Sequence, residues 1–367
     1  MSVSDRIGHY RLESEFSTAG GGTCQWAKAY DERASEYVFL KKFLSPTYPA
    51  DDGPGSEKVK AKKREKCLRF ERHQRELTKS LGKVAARGGT LAVQIAIFKH
   101  RYHYYKVTEW VEGIGYDPAE VARLSNFARY GILASAAKGV HTVHQAGIVH
   151  GDLKPSNIMI KMHHSLGRPT ATLIDFDSSY MSAKPPLAED LVGDFPYYSP
   201  EMLGYVKGLA GACASDLSTK SDVFAFGLIV HQYLAGDIPV IDRERFGTVA
   251  EAVRDGRASE FSTSLCHTTR SLIGSMLALD PTERPTMYQV MSELGALAKT
   301  ESPVALSSPA MDVAVAGVLR GSLKSSSKPA SAESAKGILR GAGASAAPED
   351  SSHDAGGGKL RGKGIRS

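Results

Sequence analysis

Cysteine is scarce and scattered. The four residues, Cys24, Cys67, Cys213 and Cys266, form no Cys-x-x-Cys pair, and no histidine cluster stands at ligand spacing. This disfavours a structural zinc or a disulfide scaffold and points to a reducing, cytoplasmic setting. Long apolar runs are also missing. The first ten residues contain no signal-like apolar stretch, and the most apolar later segment, residues 223–235, is broken by His231 and Gln232 and is too short to cross a bilayer. No membrane span is expected. Nor does one charge dominate: 46 Lys and Arg against 40 Asp and Glu leave +6 over 367 residues, too little to argue by itself for a nucleic-acid or membrane partner. A basic cluster at Lys58, Lys60, Lys62, Lys63, Arg64 and Lys66 reads as the solvated face of a helix, which disfavours nucleic acid as a ligand.

What is present is an ordinary globular composition, 42 % hydrophobic and 23 % charged, enough for a sizeable core. The first hundred residues read as short strands at 11–16, 26–30, 37–43, 91–98 and 104–110, rich in aromatic and β-branched residues and bounded by turn formers. One long amphipathic helix over 58–84 interrupts them, after a Pro- and Gly-containing loop at 45–56. From about Pro118 the pattern turns helical, at 126–144, 221–235 and 268–279, with brief strand-like runs at 158–161 and 172–175. A small β-rich lobe thus precedes a larger α-rich one. After Lys299 the composition shifts to Ser, Ala, Gly, Pro and scattered basic residues, which predicts a disordered tail over 299–367. Within it a phrase recurs as Gly317-Val-Leu-Arg-Gly321, Gly337-Ile-Leu-Arg-Gly341 and Gly358-Lys-Leu-Arg-Gly362. Three short identical ligands on flexible linkers suit multivalent engagement of a docking partner.

The chemistry-bearing signal is His150-Gly-Asp-Leu-Lys-Pro-Ser-Asn157, followed by Ile174-Asp-Phe-Asp177. In this order and spacing the two phrases resemble the catalytic loop and the metal-binding D-F-G of protein kinases. Val38-Phe-Leu-Lys-Lys42 resembles the third-strand V-A-I-K, and strand alternation puts Phe39, Lys41 and Phe43 on one face with Lys42 on the other. Tyr105-Lys-Val-Thr-Glu-Trp-Val-Glu-Gly113 resembles the strand and hinge between the lobes. Gly193-Asp-Phe-Pro-Tyr-Tyr-Ser-Pro-Glu201, Ser221-Asp-Val-Phe-Ala-Phe-Gly227 and Glu283-Arg-Pro-Thr286 resemble the end of an activation segment and two structural motifs of the large lobe. The likeness covers about residues 10–298.

The resemblance implies an α+β, two-lobed protein-kinase-like fold over residues 1–298, with a small lobe over about 1–112 and a large lobe over about 113–298. It is to the serine/threonine type, in a divergent, bacterial-like variant. It implies ATP and Mg²⁺ as cofactors and protein hydroxyls as substrate. Asp152 would accept or orient the hydroxyl proton, Lys154 would neutralise charge growing on the γ-phosphate, and Asn157 and Asp175 would hold the metal. Lys41 would hold the α- and β-phosphates. Its carboxylate partner on the long helix is either Glu71 or Glu76, with Glu71 the preferred one. The apolar face of that helix centres nearer His73 and Gln74 than either glutamate. Gly21, in the Gly-rich stretch from Ser17 to Cys24, would lie over the phosphates, Trp26 over the adenine, and Glu109 and Val111 would present backbone groups to the adenine edge. Glu201 would pair with Arg284, and Asp222 would brace the catalytic loop.

Three departures stand out. Gly151 occupies the place of the arginine that pairs with a phosphorylated activation loop, so activity should not depend on that switch. Asp177 replaces the glycine of D-F-G, at some expected loss of backbone freedom. Asp194 replaces a threonine and could still bond Lys154. The alternative to an active enzyme is a nucleotide-binding pseudokinase or scaffold that presents its tail to a partner.

Overall fold

The computed structural model describes residues 6–300 apart from 19–23, 87–88, 114, 183 and 258. Six antiparallel strands open the chain: β1 (Arg6–Ile7), β2 (Tyr10–Leu12), β3 (Cys24–Asp31), β4 (Glu36–Phe43), β5 (Gln94–His100) and β6 (His103–Glu109), in the order β1-β2-β3-β4-β6-β5. The β3–β4 and β4–β6 registers set Trp26, Lys41 and Lys106 side by side, and Ala27, Leu40 and Val107 likewise one step along. Side chains alternate between the two faces of a sheet, so these rows lie on opposite sides. Leu40 and Val107 of the second row belong to an apolar cluster with Tyr10, Ala29, Val38 and Tyr105 on the outer face. The first row faces the helix and the cleft.

Helix α1 (Glu57–Leu81) is the one insertion in the sheet. Ser56 caps it by accepting from Val59 N–H, and Gly82 follows its last turn. Its buried positions, Lys60, Cys67, Gln74, Leu77 and Leu81, recur at helical spacing. Cys67 and Phe70 pack on Phe43 and Tyr104 of the sheet, with Phe43 and Phe70 edge to face at 5.0 Å between centroids.

Several predicted strands have different limits: the run at 172–175 belongs to a strand that ends at Leu173, and two others lie in the sheet. The run at 11–16 is β2 only to Leu12; residues beyond it follow β3 through Glu13 N–H to Lys28 O and a Ser17–Trp26 bridge. The run at 91–98 begins as a strand only at Gln94, because Leu91 bridges in parallel to Leu173 and ties the sheet region to the second half of the chain.

That second half is built on α3 (Asn126–Gln145) and α5 (Thr219–Ala235), with α2 (Pro118–Val121), α4 (Pro200–Val206), α6 (Val249–Arg254), α7 (His267–Met276) and α8 (Met287–Thr300) around them. Helix α5 is buried from Ser221 to Leu234 on every side, which is why it carries the chain's most apolar run. Short strands β7 (Ile148–Val149), β8 (Ile158–His163), β9 (Arg168–Leu173) and β10 (Tyr180–Met181) lie between α3 and α4. They pair as β8–β9 and β7–β10, and the loops at their ends carry the two chemical motifs. Among the described residues no helix is long and apolar enough to cross a membrane. The fold is thus α+β, a twisted antiparallel sheet with one helix followed by a helical body.

Candidate active site

The loop after β7 is fixed by one buried carboxylate. Asp222, in the first turn of α5, accepts His150 N–H at 2.7 Å and Gly151 N–H at 3.1 Å, and lies 2.9 Å from His144 Nε2. Gly151 sits at φ 79°, and a Cβ there would stand 2.5 Å from Ser178 O. The glycine is therefore required by the backbone. Restoring the family's arginine by Gly151→Arg is expected to destabilise the protein by at least about 1–2 kcal/mol from the left-handed backbone alone, with activity falling alongside. Thermal unfolding checks this, and an unchanged melting temperature would overturn it.

Asp152, Lys154 and Asn157 converge within this loop. Asp152 Oδ2 lies 3.0 Å from Lys154 Nζ and accepts from Asn157 Nδ2 at 3.1 Å; the same amide nitrogen donates to Asp152 O at 2.7 Å. Asn157 thereby uses its N–H groups internally and keeps its carbonyl oxygen for another ligand. Asp152 Oδ1 is buried without a hydrogen-bond partner, and the residue lines a pocket with Asp194, Tyr197 and Tyr198. Burial pushes the Asp152 carboxyl above its ordinary pKa, against the opposing pull of Lys154. Lys154 also reaches Asp194 at 3.6 Å, the contact expected of that substitution.

The second motif is joined to the first through backbone: Ile174 N–H donates to Asn157 O at 3.0 Å, and the His150 ring lies 4.9 Å from that of Phe176. Asp175 takes φ 61°, in the left-handed region where aspartate is among the better tolerated residues. Asp177 is not among the residues at positive φ, so its place in the motif does not call for glycine's freedom; the unusual backbone is two residues earlier. Lys41 Nζ lies 2.9 Å from both oxygens of Asp175 and 2.6 Å from Asp177 Oδ2. The last is a close ion pair without hydrogen-bond alignment. Although burial pulls the other way, Asp177 and Asp175 hold the Lys41 ammonium above its ordinary pKa.

The expected pair between Lys41 and Glu71 is not formed. Glu71 Oε1 accepts from Tyr104 OH at 2.6 Å, while Lys41 takes its carboxylates from the Asp175-Phe-Asp177 segment. Sheet geometry explains it: Tyr104 stands on the helix-facing side of β6, packed against Cys67 and Phe70 of α1, and its buried hydroxyl needs an acceptor. Glu76 is exposed. The described residues show Glu109 accepting from Val93 N–H on its carboxylate at 2.9 Å and donating its own N–H to Val93 O at 3.0 Å, with Val111 half-buried beyond the strand end. Gly113 passes so close to β8 that a Cβ would lie 3.1 Å from Ile160 O. Trp26 stacks on Phe39 at 5.3 Å, on the same face as Lys41. Gly21 lies outside the described residues.

Lys106 and Asp177 are the pair that sequence reasoning did not single out as a unit. Lys106 is 5 % exposed, and its Nζ donates to Asp177 Oδ1 at 2.8 Å. The signal was available: Lys106 follows Tyr104 and Tyr105 in a strand-like run, and a lysine buried among aromatic residues needs a carboxylate. Away from the loop, Arg284 is fully buried and meets Glu201 with two bonds of 2.8 Å, as expected of that pair.

A divalent ion fits this donor set. No cluster of three or more His, Cys, Asp or Glu among the described residues could hold one by itself. The Asp175 carboxylate and the Asn157 carbonyl oxygen are instead the hard oxygens that Mg²⁺ takes when phosphates and water complete its shell.

Comparison with known proteins accords with this arrangement. Residues 58–294 match the family described as protein kinase domain. A calcium and calcium/calmodulin-dependent serine/threonine-protein kinase, DMI-3 of Medicago truncatula, is 28 % identical over 165 residues, 44 % of this chain and 29 % of that protein. Calcium-dependent protein kinase 26 of Oryza sativa subsp. japonica is 29 % identical over 156 residues, 42 % of this chain and 26 % of its own length. Protein kinase kin1 of Schizosaccharomyces pombe is 23 % identical over 214 residues, 56 % and 22 % respectively. The chain spans less than a third of the length of these relatives. A twisted sheet with one helix, a helical body and two linked acidic loops between them define a kinase-type fold. The chain belongs to the protein kinase family.

Proposed function

We propose that this chain is an ATP-dependent protein serine/threonine kinase, with its catalytic unit over about residues 1–298, working on protein substrates in a cytoplasmic setting. The observation that carries the reading is the unpartnered buried oxygen of Asp152, whose other oxygen is held by Lys154 and Asn157. A carboxylate fixed on one side and unpartnered on the other can accept the proton of a hydroxyl docked in the adjoining pocket. Lys154 stands beside it to offset charge on the transferred phosphoryl group, and Asp194, at 3.6 Å, tempers that charge. Asp175 and Asn157 would hold Mg²⁺, which when bound neutralises phosphate charge. Lys41 would contact the α- and β-phosphates, and Glu109 and Val111 the adenine edge. The scaffold alternative gains no support from this geometry.

Asp175→Ala is expected to abolish Mg²⁺-dependent ATP binding, because it removes the only carboxylate of the proposed ion site. Calorimetric titration of ATP with and without Mg²⁺ is the check. Wild-type affinity for MgATP in the variant would sink the metal assignment. The repeats at 317–321, 337–341 and 358–362 lie outside the described residues; their proposed role is capture of a docking partner.

A further inference from the structure

The phosphate-facing lysine of this chain has a different anchor from the helix glutamate its family resemblance implies. We propose that Asp177 is the positioning residue for Lys41, with Lys106 as its fixed counter-charge, so that Lys41 is held by the sheet and the metal-binding segment and not by helix α1. This rests on the reading of Lys41 as the phosphate-contacting lysine.

The β4–β6 register places Lys41 directly across from Lys106 on one face of the sheet. Both ammonium groups reach the same carboxylate, Lys106 at 2.8 Å on Oδ1 and Lys41 at 2.6 Å on Oδ2. The side chains involved are 6 % exposed for Lys106, 12 % for Lys41 and 18 % for Asp177, so water can replace little of this bonding. Helix α1 supplies no substitute. Glu71 is committed to Tyr104, and the buried position facing inward is Gln74, whose amide oxygen has no hydrogen-bond partner among the described residues.

Charge counting shows why two lysines are needed. A single Lys–Asp pair is neutral, whereas two lysines on one aspartate keep one net positive charge. Asp177 can therefore hold Lys41 in place without cancelling the charge that phosphates attract. Asp175, the other neighbour of Lys41, is the proposed metal ligand. Once its charge is engaged by the ion, Asp177 is the carboxylate left to orient the lysine. Replacement of the D-F-G glycine is thus coupled to a lysine on β6: without the acid Lys106 would be an uncompensated buried charge, and without Lys106 the acid would cancel the charge of Lys41.

The test separates positioning from mere charge balance in the full-length protein. Asp177→Ala is expected to lower the melting temperature, since Lys106 is stranded, and to raise KM for ATP. Asp177→Ala with Lys106→Met removes both buried charges and is expected to restore the melting temperature. KM for ATP, and Kd for a ribose-labelled fluorescent ATP, should stay raised about tenfold or more, the loss expected when a close, largely buried ion pair is broken, while kcat falls less. Glu71→Gln should leave KM unchanged. Recovery of both stability and ATP affinity in the double variant overturns the proposal, because Asp177 would then only balance Lys106. A KM raised by Glu71→Gln to the same degree also overturns it. If Lys41→Ala itself leaves ATP affinity at the wild-type value, the reading of Lys41 falls and the proposal falls with it. Lys41→Ala and the double variant both weakening ATP, with Glu71→Gln silent, is the supporting result.

Discussion

Asp152→Asn is expected to lower phosphoryl transfer by about 10²–10⁴-fold, the usual contribution of a positioned general base, with ATP affinity close to that of the wild type. The substitution keeps the size and planarity of the side chain and removes its basicity. In the folded protein Oδ2 is engaged by Lys154 at 3.0 Å and by Asn157 at 3.1 Å, whereas Oδ1 is buried without a partner. An asparagine can retain the contact to Lys154 through its carbonyl oxygen, but its amide nitrogen cannot accept a proton. The groups on the sheet proposed to contact the nucleotide are separate from this oxygen, so binding should survive. Transfer of a radiolabelled phosphate to a generic protein acceptor, alongside titration of a fluorescent ATP, measures the two effects. Transfer at the wild-type rate would remove Asp152 from the chemistry.

The second large effect is expected far from the site. Arg284 is fully buried, and its donors are committed: Nε to Ala278 O at 2.9 Å, Nη1 to Glu201 Oε1 and Lys220 O, both at 2.8 Å, and Nη2 to Glu201 Oε2 at 2.8 Å and Leu279 O at 3.2 Å. Ser221 Oγ also donates to Glu201 at 2.8 Å. Glu201→Ala leaves a guanidinium without its counter-charge in a dry environment. Loss of one partner of a buried pair costs about 3–5 kcal/mol. At about 2–4 °C per kcal/mol for a domain of this size, the melting temperature should fall on the order of 10 °C. Adding Arg284→Leu should recover part of that loss, since no unpaired charge then remains. A Glu201→Ala protein that melts with the wild type would mean that water reaches Arg284.

Much of the site was legible before any coordinates. His150 to Asn157 and Ile174 to Asp177 declare themselves because a phosphoryl-transfer loop needs particular side chains at short, rigid spacing, and those spacings survive in linear order. Strand alternation correctly put Lys41 with Phe39 and Phe43 on the inner face, where Phe43 meets α1 and Lys41 meets the acidic segment. The same alternation put Lys106 on that face and marked it as a lysine in need of a carboxylate, but only the fold names the partner, which lies 71 residues away.

Glu71 shows the limit from the other side. Helical periodicity locates a face but not which of two adjoining groups wins a side chain. Here Tyr104, buried against α1, takes the carboxylate that a sequence motif would assign to Lys41. Gly151 was read as a lost arginine, while the structure shows a backbone at φ 79° pressed against Ser178 O, where no side chain fits.

The sequence by itself determined the succession of a strand-rich and a helix-rich half, the kinase-like phrases at His150–Asn157 and Ile174–Asp177, and the face on which Lys41 lies, because these depend on local periodicity and short spacing. The tertiary structure alone decided which charges meet: Lys41 and Lys106 on Asp177, Glu71 on Tyr104, Arg284 on Glu201. A buried charge must find its partner in space, and the sheet register and helix packing that choose the partner are long-range properties of the folded chain.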